Sequence, residues 1–363
     1  MKTGISLYFS NGMDKNKEMI EKAIANGVTY AFTSLNIPEE NEINYRSDIQ
    51  SLLELCRRGN LSLIVDVGPE TLEKLGVQSI EELEETGIHY LRLDYGFTAA
   101  ETVRLSEKFH VVFNASTITE EEIMEWKKAG ADFTRFVACH NFYPKQFTAL
   151  SMQRVKEINF RLKILGFTTM SFVPGDSILR GPLMEGLPTV EEHRYRKEEI
   201  LLNMLELYME GASDVVLVGD VDISQKNWHA IKCLSEGYVE LHADISPPYQ
   251  FIMEGIHHDR PDSSEMIFRS QESRMYSQEI IPEQEFATTD RIELTREWSV
   301  GGRQIGSICI SNSKYLRYMG ELEIARLNLP GDDRLNIIGE IKEADRKYLP
   351  FIKYGMGIKL LSE

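Results

Sequence analysis

The feature that most constrains the fold is a regular alternation between short apolar runs rich in β-branched residues and amphipathic segments with helical spacing. The runs follow one another from Ile5 to Gly219. They are Ile5–Ser10, Tyr30–Leu35, Leu61–Val67, Tyr90–Tyr95, Val111–Ser116, Phe133–Phe142, Leu162–Phe167 and Val215–Gly219. A strand followed by a helix, repeated eight times, predicts a parallel (β/α)8 TIM barrel, for which about 250 residues is typical.

The segments between these runs have the spacing and the start signals of helices. Thr119 followed three residues later by Glu122 forms a capping box, which marks the beginning of a helix. The predicted helices are Lys15–Asn26, Arg46–Arg58, Ile80–Thr86, Ala99–Lys108, Thr119–Ala129, Leu150–Ile158 and Val190–Glu210.

The sequence changes character after the eighth run, where shorter runs and turn signals replace long amphipathic helices. We predict a TIM-barrel catalytic domain over residues 1–240 and a smaller β-rich domain over residues 241–363. The strands expected in the second domain are Ile292–Thr295, Arg303–Ile310, Gly320–Leu327, Asn336–Glu340 and Gly357–Leu361.

The charge balance restricts the possible partners. The 363 residues carry a formal net charge of −17, whereas nucleic-acid binding needs clustered Lys and Arg. An anionic small substrate remains compatible with this balance if basic residues gather locally. The first apolar run is too short for a signal peptide, and no later run is long enough to cross a bilayer. We therefore expect a cytoplasmic protein that binds neither nucleic acid nor membrane.

Cofactor and metal signatures are missing from the sequence. The four cysteines, Cys56, Cys139, Cys233 and Cys309, are far apart, which favours reduced thiols over a disulfide framework or a zinc site. No P-loop or Rossmann fingerprint is present, and the adjacent pair His257-His258 lacks metal-ligand spacing. We therefore expect no cofactor and no metal.

Polar residues at the ends of several predicted strands should meet at the barrel mouth. Side chains alternate between the interior and the helices, and chemistry in such barrels occurs at the C-terminal ends of the strands. Alternation predicts that Asp66, Asp94, Asn114 and Asp220 point inward, with Arg92 beneath Asp94. Each carboxylate also has a structural interpretation, because Asp66 or Asp220 could cap a helix and Asp94 could neutralise Arg92.

The sixth predicted strand ends in the sequence Cys139-His140-Asn141-Phe142-Tyr143. Neighbouring residues on a strand face opposite sides, so this set cannot form a nucleophile and its base. We interpret His140 or Asn141, together with Tyr143, as substrate-binding polar groups beside an aromatic surface.

A long segment from Ser171 to Arg194 contains too many Gly and Pro residues for a helix or a strand, and too many apolar residues for disorder. It predicts an ordered loop, either a structural lid or the substrate loop of an enzyme. Loops after the last two strands often bind phosphate in such barrels, and Arg180 is the cation best placed for that role. Glu185 is a carboxylate that this loop could bring to the substrate.

Several motifs together resemble the bacterial 6-phospho-N-acetylmuramidases of the MupG type. They are GDSILRGPLMEGLPTVEEHR, RLDYGF, HNFYP and KYLRYMGELEIARLNLPGDDRLNIIGEI, so the resemblance spans the whole chain. It implies an N-terminal TIM barrel and a C-terminal cyclophilin-like β-domain. It also implies cytoplasmic hydrolysis of the β-1,4 bond in the phosphorylated amino-sugar disaccharide MurNAc 6-phosphate-GlcNAc, a reaction of peptidoglycan recycling. The resemblance assigns no catalytic residue in this chain, so the candidate site is predicted from strand alternation.

A glycosidase needs one carboxylic acid to protonate the leaving oxygen and a second group that attacks or activates water. We assign Asp94 as the acid and Glu185 as its partner, with Asp66 and Asp220 as further rim carboxylates. A sugar-phosphate aldolase or isomerase on the same barrel is an alternative, although an imine-forming aldolase would need an inward-facing Lys. A non-catalytic peptide-binding module in the β-domain is a third possibility.

Overall fold

The computed structural model describes residues 1–35, 45–68, 71, 77–93, 96–273, 281–282 and 302–362. The chain forms two compact units, Met1–Ser235 and Glu236–Glu363. Among the described residues, no helix is both long enough and apolar enough to span a bilayer. All four cysteines are buried, and no disulfide links them.

The first unit is built on a closed barrel of eight parallel strands, which confirms the predicted (β/α)8 fold. Each strand pairs with its neighbours in chain order, and β1 closes the barrel against β8. The strands are β1 Lys2–Ser6, β2 Tyr30–Ser34, β3 Ser62–Val67, β4 Tyr90–Leu93, β5 His110–Asn114, β6 Phe136–Cys139, β7 Thr168–Val173 and β8 Val215–Val218.

Helices follow the strands as the amphipathic spacing predicts. Two of them begin with complete capping boxes, one formed by Thr98 and Glu101 and the other by Thr119 and Glu122. In each box the cap hydroxyl accepts the backbone N–H of the glutamate, and the glutamate carboxylate accepts the backbone N–H of the cap residue. The helices are α1 Met13–Ala25, α2 Tyr45–Arg58, α3 Ala99–Ser106, α4 Glu120–Lys128, α5 Met152–Ile164, α6 Glu191–Arg194, α7 Ile200–Met209 and α8 Gln225–Ser235, and the segment Ile80–Thr86 forms a 3-10 helix.

The seventh strand lies later in the chain than predicted. The run Leu162–Phe167 is the end of α5 and a turn, whereas β7 is Thr168–Val173. Its hydroxyl residues resemble a loop in the sequence, but they form hydrogen bonds with the segment just before β8. Thr169 donates to the Ala212 carbonyl at 2.9 Å, and the Ser171 hydroxyl lies 2.8 Å from that of Ser213. The long loop therefore begins at Pro174 rather than Ser171.

Two further helix predictions were incomplete. The predicted helix Val190–Glu210 is interrupted and forms α6 and α7 separately, and α8 was not predicted. The connection between α6 and α7 is attached to α7, because its residue Arg196 donates two hydrogen bonds to Glu206 at 2.7 and 2.9 Å.

The barrel interior is filled by large side chains from the described strands, as in other small parallel barrels. Phe32 packs edge-to-face against Phe172, with 5.5 Å between ring centroids. The buried cluster comprises Tyr30, Phe32, Ile64, Val112, Val137, Cys139, Met170, Phe172, Val215 and Leu217. These residues define the inward-facing positions of β2, β3, β5, β6, β7 and β8, and therefore which later residues of those strands point toward the mouth.

The second unit contains one seven-stranded sheet. Its strands are β9 Tyr238–Ile245, β10 Ile256–His258, β11 Ile267–Arg269, β12 Ser307–Ser311, β13 Leu322–Ala325, β14 Leu335–Ile341 and β15 Gly357–Leu361. Their order in the sheet is β10-β15-β9-β14-β12-β13-β11. The predicted strand Gly357–Leu361 was confirmed, and three predicted strands overlap with β12, β13 and β14. The predicted strand Ile292–Thr295 lies outside the described residues.

Candidate active site

A polar layer covers the apolar interior at the C-terminal ends of β3, β4 and β6. Arg92 lies 3.5 Å from Asp66, and both side chains are buried. Ser34 donates to the same Asp66 carboxylate at 2.9 Å, and Arg92 also donates to the side-chain oxygen of Asn141. These contacts agree with the alternation argument, which sent Asp66 and Arg92 inward. The buried charges compensate each other, as a barrel interior requires.

Asp94, the predicted proton donor, lies outside the described residues. Because Asp94 is two residues after Arg92, alternation predicts that both side chains lie on the same face of the strand. Arg92 contacts Phe32, Asp66 and Asn141. The Nε atom of Arg92 is buried and has no hydrogen-bond partner among the described residues. Arg92 therefore keeps one donor for a group outside this set of contacts.

The Asp220 carboxylate binds three backbone positions of the long loop. It accepts hydrogen bonds from the backbone N–H groups of Gly175 at 2.8 Å, Arg180 at 2.9 Å and Leu187 at 3.0 Å. Burial raises the pKa of Asp220, and the three N–H donors act in the opposite direction. A carboxylate with these partners fixes both ends and the middle of the loop.

Asp220 does not occupy the position that alternation assigned to it. Val215 and Leu217 are the inward-facing residues of β8, so regular alternation past the strand would not point residue 220 inward. The backbone turns after Gly219, and the side chain enters the loop instead. A Cβ atom at Gly175 would lie 2.8 Å from the Asp220 Cβ, so the loop can approach this carboxylate only with glycine there.

The side chain of Arg180, the predicted phosphate ligand, lies over the aromatic ring of Tyr8, with 4.4 Å between the guanidinium carbon and the ring centroid. It donates only a long bond of 3.4 Å to the adjacent Gly181 carbonyl, and its buried Nε has no partner among the described residues. Nor does any described carboxylate form an ion pair with it. Arg180 therefore combines a fixed backbone with unused donors.

Tyr8 supports this arrangement from β1's side of the barrel. Its hydroxyl donates to the carbonyl oxygen of Gly219, and its ring packs with Leu187 and Val221. The aromatic surface beneath Arg180 is thus held by the residues that flank Asp220. Sequence reasoning did not identify Tyr8, although an aromatic residue just after a barrel strand was a usable signal.

Glu185 is carried by the loop as predicted and contacts the segment after β6. Gln146 donates to its carboxylate at 2.6 Å. The carboxylate is half-buried and has an acceptor position left for another donor. This contact links the loop to the segment that also contains Asn141 and Tyr143.

A buried ion pair that the sequence analysis missed holds the same two segments together. Arg194 donates to the Gly186 carbonyl at 2.8 Å and to the Tyr143 carbonyl at 2.7 Å, while pairing with Glu191 at 2.8 Å. Burial opposes the ionisation of Glu191, but Arg194 and the N–H groups of Phe147 and Ala149 outweigh it and lower its pKa to about 2. The i,i+3 spacing of Glu191 and Arg194 was the signal for this pair.

His140 is fully buried and faces the helix layer. One ring nitrogen lies 2.9 Å from the Ser116 hydroxyl, and the other lies 2.9 Å from the Asn159 side-chain oxygen. Because Asn159 donates its N–H2 to the Gly211 carbonyl at 2.7 Å, its oxygen must face the histidine. His140 Nε2 therefore carries the proton, and Ser116 donates to Nδ1. Burial lowers the pKa of His140 to about 4, against a smaller opposite effect of Asn159.

The other predicted binding residues lie beside this network. The Tyr143 hydroxyl is 3.4 Å from that of Ser116, and Asn114 accepts the Ser116 N–H at 2.9 Å. Both side chains are half-buried at the rim. His140 thus lies behind Ser116, whereas Tyr143 and Asn114 lie in front of it.

In the second unit, the polar residues near Tyr318–Glu321 and Asp332–Asn336 mostly pair with one another. Glu321 accepts from Arg269 at 2.5 Å, and Asp332 accepts from Arg334 at 2.6 Å and from the Tyr315 hydroxyl at 2.8 Å. Pairing between side chains of this unit therefore accounts for much of the polar density there.

Comparisons with known proteins relate the chain to one family. Residues 3–233 match a family model described as 6-phospho-N-acetylmuramidase, N-terminal, and residues 238–361 match the corresponding C-terminal model. No curated protein matches the chain.

Two solved structures are similar along the whole chain. A conserved protein of unknown function from Enterococcus faecalis is 31% identical, with 100% of this chain and 97% of that chain covered and a TM-score of 0.71. An uncharacterized protein from B. cereus is 23% identical, with 99% of each chain covered and a TM-score of 0.72. The second similarity concerns the fold alone.

The contacts of Asp220 predict how the loop responds to its loss. Asp220→Asn places an N–H2 group against at least one backbone N–H, at a cost of about 1–3 kcal/mol for an unsatisfied buried group. Hydrogen exchange of the Gly175, Arg180 and Leu187 amides should then accelerate by about tenfold or more. Asp214→Asn is the control, because Asp214 accepts a backbone N–H of Thr169 at 2.9 Å, away from the loop. Unchanged protection of the loop amides would show that other contacts hold it.

The pKa of His140 predicts a pH dependence of stability. Between about pH 6.5 and pH 4 the unfolded chain binds a proton at residue 140 that the folded chain does not. Stability is therefore lost as the pH falls through this window, by up to about 3 kcal/mol. The melting temperature of His140→Gln should fall less steeply over this range than that of the unsubstituted protein. His89→Gln, at an exposed position, is the control, and parallel slopes for all three proteins would contradict the assignment.

Proposed function

The chain belongs to the 6-phospho-N-acetylmuramidase family, and on that premise we propose that it hydrolyses the β-1,4 bond of MurNAc 6-phosphate-GlcNAc. The family match covers both units and supports a glycosidase. The observation that carries the finer proposal is Arg180, a guanidinium with unused donors on a fixed loop after β7. This is the region where barrels of this type often bind phosphate.

Arg180 is suited to a phosphate monoester for electrostatic reasons. A planar guanidinium can donate two parallel hydrogen bonds to phosphate oxygens, and such charge-assisted bonds are stronger than neutral ones. The Tyr8 ring orients the guanidinium without neutralising it. In a chain with a formal net charge of −17, a local cation that no described carboxylate neutralises selects for an anionic substrate group.

The proposed chemistry uses two carboxyl groups. Asp94 protonates the leaving oxygen, and Glu185 attacks the anomeric carbon or activates a water molecule. Gln146 orients Glu185 by donating to one of its oxygens. Asp94 lies outside the described residues, so its role rests on the alternation argument and on its place after Arg92.

The remaining rim residues position the substrate in this proposal. Asp66 and Asn141 hold Arg92, whose Nε has no hydrogen-bond partner in the described part of the chain and can serve a substrate oxygen or a neighbouring carboxylate. Asn114 and Tyr143 contribute polar contacts at the rim. We assign Asp220 to the loop rather than to the reacting atoms, because its oxygens are occupied by three backbone donors.

His140 supports the site indirectly in this proposal. Its ring is fully buried and its two nitrogens are engaged by Ser116 and Asn159, so its contribution is to orient Ser116. The family resemblance further suggests a cyclophilin-like second domain, and a cytoplasmic reaction on a disaccharide imported during peptidoglycan recycling.

The aldolase alternative is less well supported by the described residues. Lys163 lies on α5 and pairs with Asp214 at 2.6 Å, and Lys145 is exposed after β6. Neither residue points into the barrel, and the buried interior cluster contains no lysine among the described residues. An imine-forming mechanism would need such a lysine.

Replacing Arg180 tests phosphate recognition. Arg180→Met removes charge-assisted hydrogen bonds worth about 1.5–3 kcal/mol, so kcat/KM for the phosphorylated disaccharide should fall by about 10- to 150-fold. The unphosphorylated disaccharide should lose much less. Arg104→Met, which removes an exposed ion pair with Glu81, is the matched control. An equal loss on both substrates would mean that Arg180 is structural and that phosphate binds elsewhere.

Leaving-group dependence tests the two carboxyl roles. Asp94→Asn should lower kcat on the disaccharide by about 10²- to 10⁴-fold, the usual contribution of a general acid. A glycosyl fluoride substrate should restore part of the rate, because fluoride leaves with little need for protonation. Glu185→Gln should show no such rescue. Near-normal turnover of Asp94→Asn would mean that Asp94 is not the acid and that another rim carboxylate has this role.

A further inference from the structure

Asn141, two residues after β6, has a side chain whose orientation is set by its neighbours. Arg92 donates to its side-chain oxygen. Because a guanidinium has only donors, the amide oxygen must face Arg92 and the N–H2 group must face away from it. Arg92 is itself held by Asp66, 3.5 Å away. The backbone is fixed as well, since the Thr189 hydroxyl donates to the Asn141 carbonyl at 2.9 Å.

The N–H2 group of Asn141 is an available donor. No described residue accepts a hydrogen bond from it, and the residue is half-buried rather than enclosed, so the group is open to solvent. The amide cannot turn to offer its oxygen instead without placing its N–H2 group against the guanidinium of Arg92. Asn141 therefore presents a donor, and no acceptor, at the mouth of the barrel.

The following residue, Phe142, connects this donor to the predicted phosphate ligand. Its ring packs edge-to-face on Phe32, with 6.1 Å between ring centroids, and it also packs against the buried cluster that contains Tyr8. Arg92 lies over the Phe32 ring at 5.9 Å, and Arg180 lies over the Tyr8 ring at 4.4 Å. The two guanidinium groups therefore border one continuous aromatic surface, and the amide donor lies at the same end of that surface as Arg92.

The two ends of this aromatic surface differ in charge. Asp66 neutralises Arg92, whereas no described carboxylate forms an ion pair with Arg180. An anionic group is thus attracted to the Arg180 end, and the other end offers a neutral hydrogen bond. Resting on the proposed function, we infer that Asn141 is a specificity-determining residue, which donates to an uncharged acceptor oxygen of the sugar whose phosphate binds Arg180. Arg92 and Asp66 are positioning residues, because they act through the Asn141 side-chain oxygen.

Replacing the amide by a carboxylate tests the polarity of this contact. Asn141→Asp keeps an oxygen toward Arg92 but exchanges the donor for an acceptor. The Kd of MurNAc 6-phosphate, measured by calorimetric titration of the full-length protein, should therefore rise by about 10- to 100-fold. Asn141→Ala only removes the hydrogen bond and should raise the Kd by about 2- to 10-fold. If the amide served only to satisfy Arg92, the aspartate variant would bind as well as the unsubstituted protein, and that result would overturn the inference.

Deoxy analogues of the ligand identify the acceptor oxygen. The 2-deoxy analogue lacks the acetamido carbonyl, and the 4-deoxy analogue lacks one ring hydroxyl. For the analogue that lacks the acceptor, the ratio of its Kd to that of MurNAc 6-phosphate should be about 2- to 10-fold larger in the unsubstituted protein than in Asn141→Ala. Any effect of a substitution on the phosphate is common to all three ligands, so this ratio reports the contact with the acceptor alone.

Gln153→Ala is the matched control, because it removes an exposed amide of α5 that donates to Glu157 at 3.0 Å. Asn141→Asp retains the contact with Arg92, so it still tests the inference if Asn141→Ala folds poorly. Equal Kd ratios in the unsubstituted protein and in Asn141→Ala for both analogues would overturn the inference, and so would a lack of binding by the unsubstituted protein. If that protein binds the sugar phosphate but does not cleave the disaccharide, the proposed function fails, while the titrations still decide the role of Asn141.

Discussion

The candidate site depends on one buried carboxylate that binds backbone rather than substrate. Asp220 gathers the N–H groups of Gly175, Arg180 and Leu187, three points that are far apart along the loop. A loop of this length would otherwise lose much conformational entropy on ordering. Three charge-assisted hydrogen bonds to a single anchor offset that cost. The position of Arg180 is therefore set by a residue of the following strand-loop junction.

A second set of contacts ties the loop to the segment after β6. Arg194 bridges the Gly186 and Tyr143 carbonyls, and Gln146 reaches Glu185. The loop is thus held from two sides, by Asp220 and by Arg194. Residues proposed to contact the substrate from β6 and from the loop after β7 consequently keep fixed relative positions, which is what a preorganised site requires.

The charge distribution at the rim gives the proposed substrate an orientation. A net charge of −17 makes the chain a poor general binder of anions, so a guanidinium without an ion-pair partner among the residues described above has a specific effect. Arg92 is neutralised by Asp66, and Arg194 by Glu191, whereas Arg180 retains its charge among the described residues.

The sequence by itself determined the architecture, because strand and helix periodicity are local and repeat eight times before residue 220. It also placed Asp66 and Arg92 correctly, since side-chain alternation is enforced wherever a strand is paired on both sides. The inward face of β8 was misassigned, because Val215, Val216, Leu217 and Val218 are all apolar and show no alternation, so Asp220 points into the loop rather than into the barrel. Strand β7, rich in Thr and Ser, was misplaced because its hydroxyl residues resemble a loop. Which rim groups are free and which are neutralised was decided only by tertiary contacts. The contacts of Arg180 with Tyr8, of Arg194 with Tyr143 and of His140 with Asn159 join distant parts of the chain, and no local pattern encodes them.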